Sequence, residues 1–115
     1  MRWVLRSKIH RATVTECRLD YEGSITIDRD LVDRCGMWVG EKVTIADVDN
    51  GNRFDTYVLP GMRGSGIIAI NGAAAHMCNV GDKVIIMGYE LTVRLVHAQV
   101  LLVDKDNKVS RELTY

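Results

Sequence analysis

Val39-Gly40-Glu41-Lys42-Val43-Thr44-Ile45 returns as Val80-Gly81-Asp82-Lys83-Val84-Ile85-Ile86, 41 residues further along the chain. Each copy reads as a turn, glycine then acid then lysine, that opens onto an apolar β-type run, and each follows a short stretch of helical pattern. Two copies are too few for a solenoid, which needs about three or more. They predict two similar halves closing on each other around a pseudo-twofold axis. A small closed β-barrel meets that description and removes exposed sheet edges. The competing reading is chance likeness between two V-G-acid-Lys turns.

The rest of the chain extends the pattern. β-type runs cover Ile9 to Thr15, Ser24 to Ile27, Val43 to Val48, Arg53 to Leu59, Gly66 to Ile70, Val84 to Met87 and Val100 to Val103. Asp49-Asn50-Gly51-Asn52 is a hairpin signal, Pro60-Gly61 closes the next strand, and Asp104-Lys105-Asp106-Asn107 makes a polar turn before the tail. Two short helices interrupt. The first spans Arg29 to Cys35, with Asp28 as N-cap and Gly36 past its end; the second spans Ala73 to Met77 after Asn71-Gly72. The expected fold class is mainly β, a small closed barrel with two or more short helices, forming a single domain over residues 1–115.

Length and charge narrow the function. At 115 residues the chain has room for one core, which excludes a two-domain enzyme with a separate cofactor-binding half. Fifteen Lys and Arg balance fifteen Asp and Glu, so no global field draws the chain to nucleic acid or anionic membrane. Cys17, Cys35 and Cys78 are widely spaced and contain no C-x-x-C pair, which fits neither a disulfide framework nor a zinc site. Reduced thiols in the cytoplasm and no metal are expected. Met1 to His10 lacks the apolar stretch of a secretion signal, and the longest apolar run, Val84 to Tyr89, is far short of the ~20 residues that span a bilayer.

Chemistry concentrates at Tyr21-Glu22-Gly23-Ser24. Alone, Gly-Ser is what turns commonly use. No G-x-S-x-G elbow surrounds Ser24, and no glycine cluster continues into Gly-Lys-Ser/Thr, so serine hydrolysis and nucleotide hydrolysis both lack support. Five strings read together carry more: Ser7-Lys8-Ile9-His10-Arg11-Ala12, Leu19 to Ser24, Asn50 to Tyr57, Arg63-Gly64-Ser65-Gly66, and Asn71-Gly72-Ala73-Ala74-Ala75-His76. Together they resemble the pyruvoyl-dependent aspartate 1-decarboxylase family, collinearly from about Arg2 to Tyr89.

The resemblance implies a double-psi β-barrel assembled as a homotetramer with active sites between subunits. It also implies a self-processing cytoplasmic lyase that turns L-aspartate into β-alanine and carbon dioxide for pantothenate and coenzyme A synthesis, with a possible processing helper. Ser24 would be the precursor of the pyruvoyl cofactor and the Schiff-base position. Its hydroxyl would attack the Gly23 carbonyl, and elimination and hydrolysis would cut the chain into 1–23 and 24–115, with no pyridoxal phosphate required. The scissile glycine should be flexible and strained.

Other roles follow by the same likeness. Thr56 would assist processing, Tyr57 would donate a proton to the decarboxylated carbanion, and Arg53 would clamp the substrate carboxylate. Lys8 and His10 match a basic pair near the substrate, Tyr21 a site-lining residue, and Asn71, Gly72, Ala73 and Ala74 the loop around the pyruvoyl group. Period-two alternation puts Arg53, Asp55 and Tyr57 on one strand face and Thr56 on the other, which an interface site would reconcile. His76 and His97 read as structural, since no ligand cluster accompanies either.

Three positions depart from the family pattern: Asp20 for a common His, Ala46 for a bulkier apolar residue, and Met62 for a usual Glu. An acidic insert usual after Tyr89 is also missing. The alternatives are a β-barrel DNA-binding regulator with no self-cleavage, favoured by the basic bias of residues 2 to 18, an uncleaved barrel that serves as an assembly partner, and a related decarboxylase preferring glutamate.

Overall fold

The computed structural model describes residues 1–115. The elements are β1 (Arg2–Thr13), β2 (Glu16–Arg18), β3 (Ser24–Asp28), α1 (Arg29–Cys35), β4 (Lys42–Asp47), β5 (Arg53–Gly61), β6 (Ile68–Asn71), a 3-10 turn (Gly72–Met77), β7 (Lys83–Thr92), β8 (Gln99–Val103) and β9 (Val109–Thr114). The nine strands lie in the order β2-β6-β3-β5-β4-β7-β1-β8-β9.

The two echo copies pair with each other. β4 and β7 run antiparallel with Val43 opposite Gly88, Ile45 opposite Ile86 and Asp47 opposite Val84. Ile45 and Ile86 are equivalent positions of the two copies, so the pseudo-twofold axis passes between them. The turns match as well. Gly40 and Gly81 both take left-handed backbone, φ 84° and 94°. Gly40 N donates to Val58 O at 2.7 Å and Gly81 N to Val14 O at 2.8 Å. The acid has one job in both copies: the Glu41 carboxylate accepts from Trp38 N, and the Asp82 carboxylate accepts from Asn79 N, each at 2.9 Å.

Val14 and Thr15 wrap the sheet. Val14 N donates to Asp82 O at 2.9 Å beside β7, and Thr15 N donates to Ile68 O at 2.8 Å on β6. The β6 side of the sheet thus meets the β7 side around one core, where Ile9, Ile25, Ile45, Ile70 and Ile86 are wholly buried. Helix α1 is capped as its sequence predicts. The Asp28 carboxylate accepts from Asp30 N, and Gly36 is left-handed at the end. Asp28 also accepts from Gly64 N at 3.0 Å and Gly66 N at 2.9 Å, so the Arg63 to Gly66 string folds around a helix cap.

Several expected boundaries move. β1 begins at Arg2 and ends at Thr13, because bulges between Leu5 and Ser7 and between Ile9 and Ala12 break the two-residue period by which a strand is read. β1 is also no basic edge: it pairs with both β7 and β8. β6 starts at Ile68 rather than Gly66, since Gly66 is held by Asp28. β4 stops at Asp47, whose carboxylate turns the chain. The second helix is 3-10 and begins at Gly72. β7 runs on to Thr92, and β2 and β9 were not expected. β9 is polar because it lies at the end of the strand order, with β8 as its one neighbour.

The halves differ in what faces the turn acid. Glu41 pairs with Arg6, whereas Asp82 lies against buried Asp47. Asp47 Oδ1 accepts from Asp49 N and Asn50 N at 2.8 and 3.2 Å, while Oδ2 has no partner. Burial and then the Asp82 carboxylate hold the Asp47 carboxyl above the usual carboxylate range. A folded-state value above the unfolded one gives stability that is present at low pH and lost as pH rises through the folded value. Asp47→Asn keeps the Oδ1 acceptor and turns an N–H toward Asp82. It should therefore be about 1 kcal/mol more stable than the parent at pH 7, with the gain fading as pH falls to about 4. Urea midpoints at the two pH values check this; a variant less stable at pH 7 refutes it.

Candidate active site

Ser24 opens β3 and is wholly buried. Antiparallel pairing sets it opposite Asn71 on β6. Asn71 Nδ2 donates to Ser24 Oγ at 2.9 Å and to Thr26 Oγ1 at 3.0 Å, gripping two hydroxyls on one strand face. Asn71 Oδ1 is buried with no partner. Such an acceptor is costly to leave unsatisfied, so it marks a place where a donor can be received.

The next residue packs against Gly23. Gly72 is left-handed at φ 77°, and a Cβ there would stand 2.8 Å from Gly23 Cα, 2.9 Å from Gly23 N and 3.1 Å from Tyr21 O. Only glycine allows that approach. Gly23 itself is not left-handed, and a Cβ on it would meet nothing within 4 Å. The left-handed backbone here is that of Gly72, not of Gly23.

β5 flanks β3. It runs parallel to β3 with Ile25 beside Val58, so Thr56 and Tyr57 precede that pair on β5 as Gly23 and Ser24 precede it on β3. Tyr57 is 40% exposed on the outer face, whereas Thr56 is half-buried opposite core residue Val43. Alternation thus holds as expected. Tyr21 is exposed with the Arg18 guanidinium 5.5 Å over its ring. Ala73 and Ala74 follow Gly72 in the 3-10 turn, Ala73 exposed and Ala74 half-buried.

Arg53, Lys8 and His10 form a second group. Arg53 pairs with Ala46, Ala46 with Ile85, and Lys8 with Met87, so Arg53 and Lys8 border one outer face floored by Ala46, Ile85 and Met87, with His10 in the bulge that follows Ile9. Neither Arg53 nor Lys8 enters an ion pair within the chain. Burial, then Lys8 and Arg11, lower the His10 pKa, and its Nδ1 is buried without a partner. His10 is thus neutral at neutral pH. Arg53 stands four residues before Tyr57 on β5, about 13 Å along the strand, and β1 lies three strands from β5, about 14 Å across.

The sequence reading missed Thr26, though its two-residue offset from Ser24 placed it on the same face. It also missed Ile85 and Met87, which reach the basic residues only through strand pairing.

A small barrel with a buried serine beside a glycine cradle defines the class. The double-psi β-barrel is its architecture: the rationally designed protein apDPBB_sym_79 superposes with a TM-score of 0.52 at 26% identity, over 77% of this chain and 100% of its own. The designed mkDPBB_sym_86 gives 0.53 at 18% identity over 70% of this chain and 95% of its own, a likeness of fold. The family model described as aspartate decarboxylase matches residues 1–110. This chain is similar to the aspartate 1-decarboxylase of Clostridium botulinum (strain 657 / Type Ba4), 52% identical over 97% of this chain and 91% of the relative. It is likewise similar to those of Carboxydothermus hydrogenoformans, 50% over 92% and 87%, and Corynebacterium efficiens, 52% over 95% and 83%. The chain belongs to the aspartate decarboxylase family.

Proposed function

We propose that this chain processes itself at Gly23–Ser24 and then decarboxylates L-aspartate to β-alanine and carbon dioxide. The observation that carries the reading is the buried Ser24 hydroxyl, gripped by Asn71 directly after the glycine against which Gly72 packs. Ser24 Oγ attacks the Gly23 carbonyl and forms an ester, with Thr56 assisting at that carbonyl. Elimination leaves the Gly23 carboxylate and an unsaturated residue 24, and water then replaces its nitrogen, releasing ammonia. The cradle fits the product, since residue 24 gains no bulk and Asn71 Nδ2 offers a donor to a carbonyl oxygen there.

A pyruvoyl carbonyl at position 24 supplies an electrophile for the substrate amine and a sink for the electron pair released with carbon dioxide. The chain's own residues do the rest. Tyr57 Oη donates the proton to the carbon that has lost its carboxylate. Arg53 holds the side-chain carboxylate with its planar fork, with Lys8 adding charge beside it and His10 remaining neutral. The spread of these residues over the sheet, with Arg53 about 13 Å from Tyr57 and about 14 Å from Lys8, favours a site completed by a second copy of the chain. That arrangement accords with a homotetramer. A cytoplasmic supply of β-alanine for pantothenate and coenzyme A is the matching role.

Substrate length is set by the span from residue 24 to Arg53, so one extra methylene misaligns the scissile carboxylate. Such a mismatch is worth about 1 to 3 kcal/mol, or roughly 10- to 200-fold in kcat/KM. Ala46, half-buried in the floor beneath Arg53, opens space against that preference. Equal L-aspartate and L-glutamate given to processed protein should yield β-alanine in excess of 4-aminobutanoate. Predominant 4-aminobutanoate overturns the substrate and points to Ala46.

A further inference from the structure

Cys17 and Cys78 lie 61 residues apart in sequence, yet their Sγ atoms stand 3.6 Å from each other. Cys17 sits on β2, where it pairs with Ile70 of β6, and Cys78 ends the 3-10 turn that begins at Gly72. A disulfide needs its sulfurs about 2 Å apart, so they must close by roughly 1.6 Å. The setting allows it. β2 is a three-residue strand at one end of the strand order, and Cys78 lies in irregular chain between the 3-10 turn and β7. The third cysteine provides a contrast: Cys35 is buried at the end of α1 with Sγ directed at Val32 O at 3.8 Å, and no other sulfur beside it.

We propose that Cys17 and Cys78 are a redox-active thiol pair that closes to a disulfide, stapling the segment that leads into Gly23 to the segment that follows the Asn71 loop. The oxidant is a low-molecular-weight disulfide. Cys17, the less buried of the two, loses its proton and attacks one sulfur of that disulfide, releasing one small thiol and leaving a mixed disulfide on Cys17. Cys78 then gives up its proton and attacks the Cys17 sulfur, releasing the second small thiol. Two protein thiols are oxidised and one small disulfide is reduced. The order follows from burial: desolvation, then the Cys17 thiol, push Cys78 up to about 12, so it is the poorer first nucleophile.

The pair also straddles the proposed cleavage bond, Cys17 before it and Cys78 after it. This consequence rests on the self-processing reading; the thiol pair itself does not. When closed, the disulfide would join fragment 1–23 covalently to fragment 24–115.

The test treats the purified parent and its Ser24→Ala and Cys17→Ser variants with excess oxidised glutathione, then blocks free thiols with N-ethylmaleimide in denaturant before mass analysis. In the parent and in Ser24→Ala, blocked thiols should fall from three to one, with peptides carrying Cys17 and Cys78 linked and dithiothreitol restoring all three. Cys17→Ser should form no internal link. Without reductant, 1–23 should travel with 24–115, and with reductant the two should separate. Three thiols still blocked in the parent, or a lasting glutathione adduct on Cys17 beside a free Cys78, overturns the pair. A linked parent that never separates on reduction leaves the pair standing and refutes self-processing.

Discussion

Ser24→Ala should remain one chain of 115 residues under conditions in which the parent separates into 1–23 and 24–115, and it should make no β-alanine. Alanine lacks the oxygen that would attack the Gly23 carbonyl, so neither the ester nor any later carbonyl at position 24 can form. The fold should survive. Asn71 Nδ2 loses one acceptor but keeps Thr26 Oγ1 at 3.0 Å, and one hydrogen bond is worth about 1 kcal/mol. Intact mass reads the chain, circular dichroism reads the fold, and hydroxylamine reports the carbonyl. A parent that stays whole after prolonged warming, with no hydroxylamine-reactive carbonyl, ends the self-processing reading.

Tyr57→Phe separates the second chemical step from the first. Tyr57 is 40% exposed and its hydroxyl makes no hydrogen bond within the chain, so its loss leaves no buried partner unsatisfied. On the proposed reading processing uses Ser24, Gly23 and Thr56, so it should proceed. Turnover should fall by about 10²- to 10⁴-fold, the range for a positioned proton donor. The loss should appear in kcat, because the hydroxyl acts after the substrate is held. A processed Tyr57→Phe with full turnover would assign the proton to another group or to water.

Much of this architecture was legible because its signals are local. The V-G-acid-Lys echo marks two turns whose glycines take φ 84° and 94°, and in each turn the acid accepts from the backbone N–H three residues earlier. Asp28 and Gly36 bound α1 as caps do, and Arg53, Asp55 and Tyr57 alternate outward as a strand requires. Boundaries slipped where the period is interrupted, at the two bulges of β1, and where a distant carboxylate captures a backbone amide, as Asp28 does with Gly66. Ser24 and Gly72 were named by resemblance to a family; that Gly72 rather than Gly23 carries the left-handed backbone is visible only when the two segments meet.

Sequence alone determined the β-rich class, the two-half plan and the capped helix, since each depends on residues a few positions apart whose periodicity and turn chemistry are intrinsic. Tertiary structure decided which distant groups share a space: Asp47 with Asp82, Cys17 with Cys78, and the face bordered by Arg53 and Lys8. The physical reason is the strand order. β1, β4, β5 and β7 are neighbours through ladders that join segments tens of residues apart, and no local preference specifies which of several compatible strands a given strand will bond to.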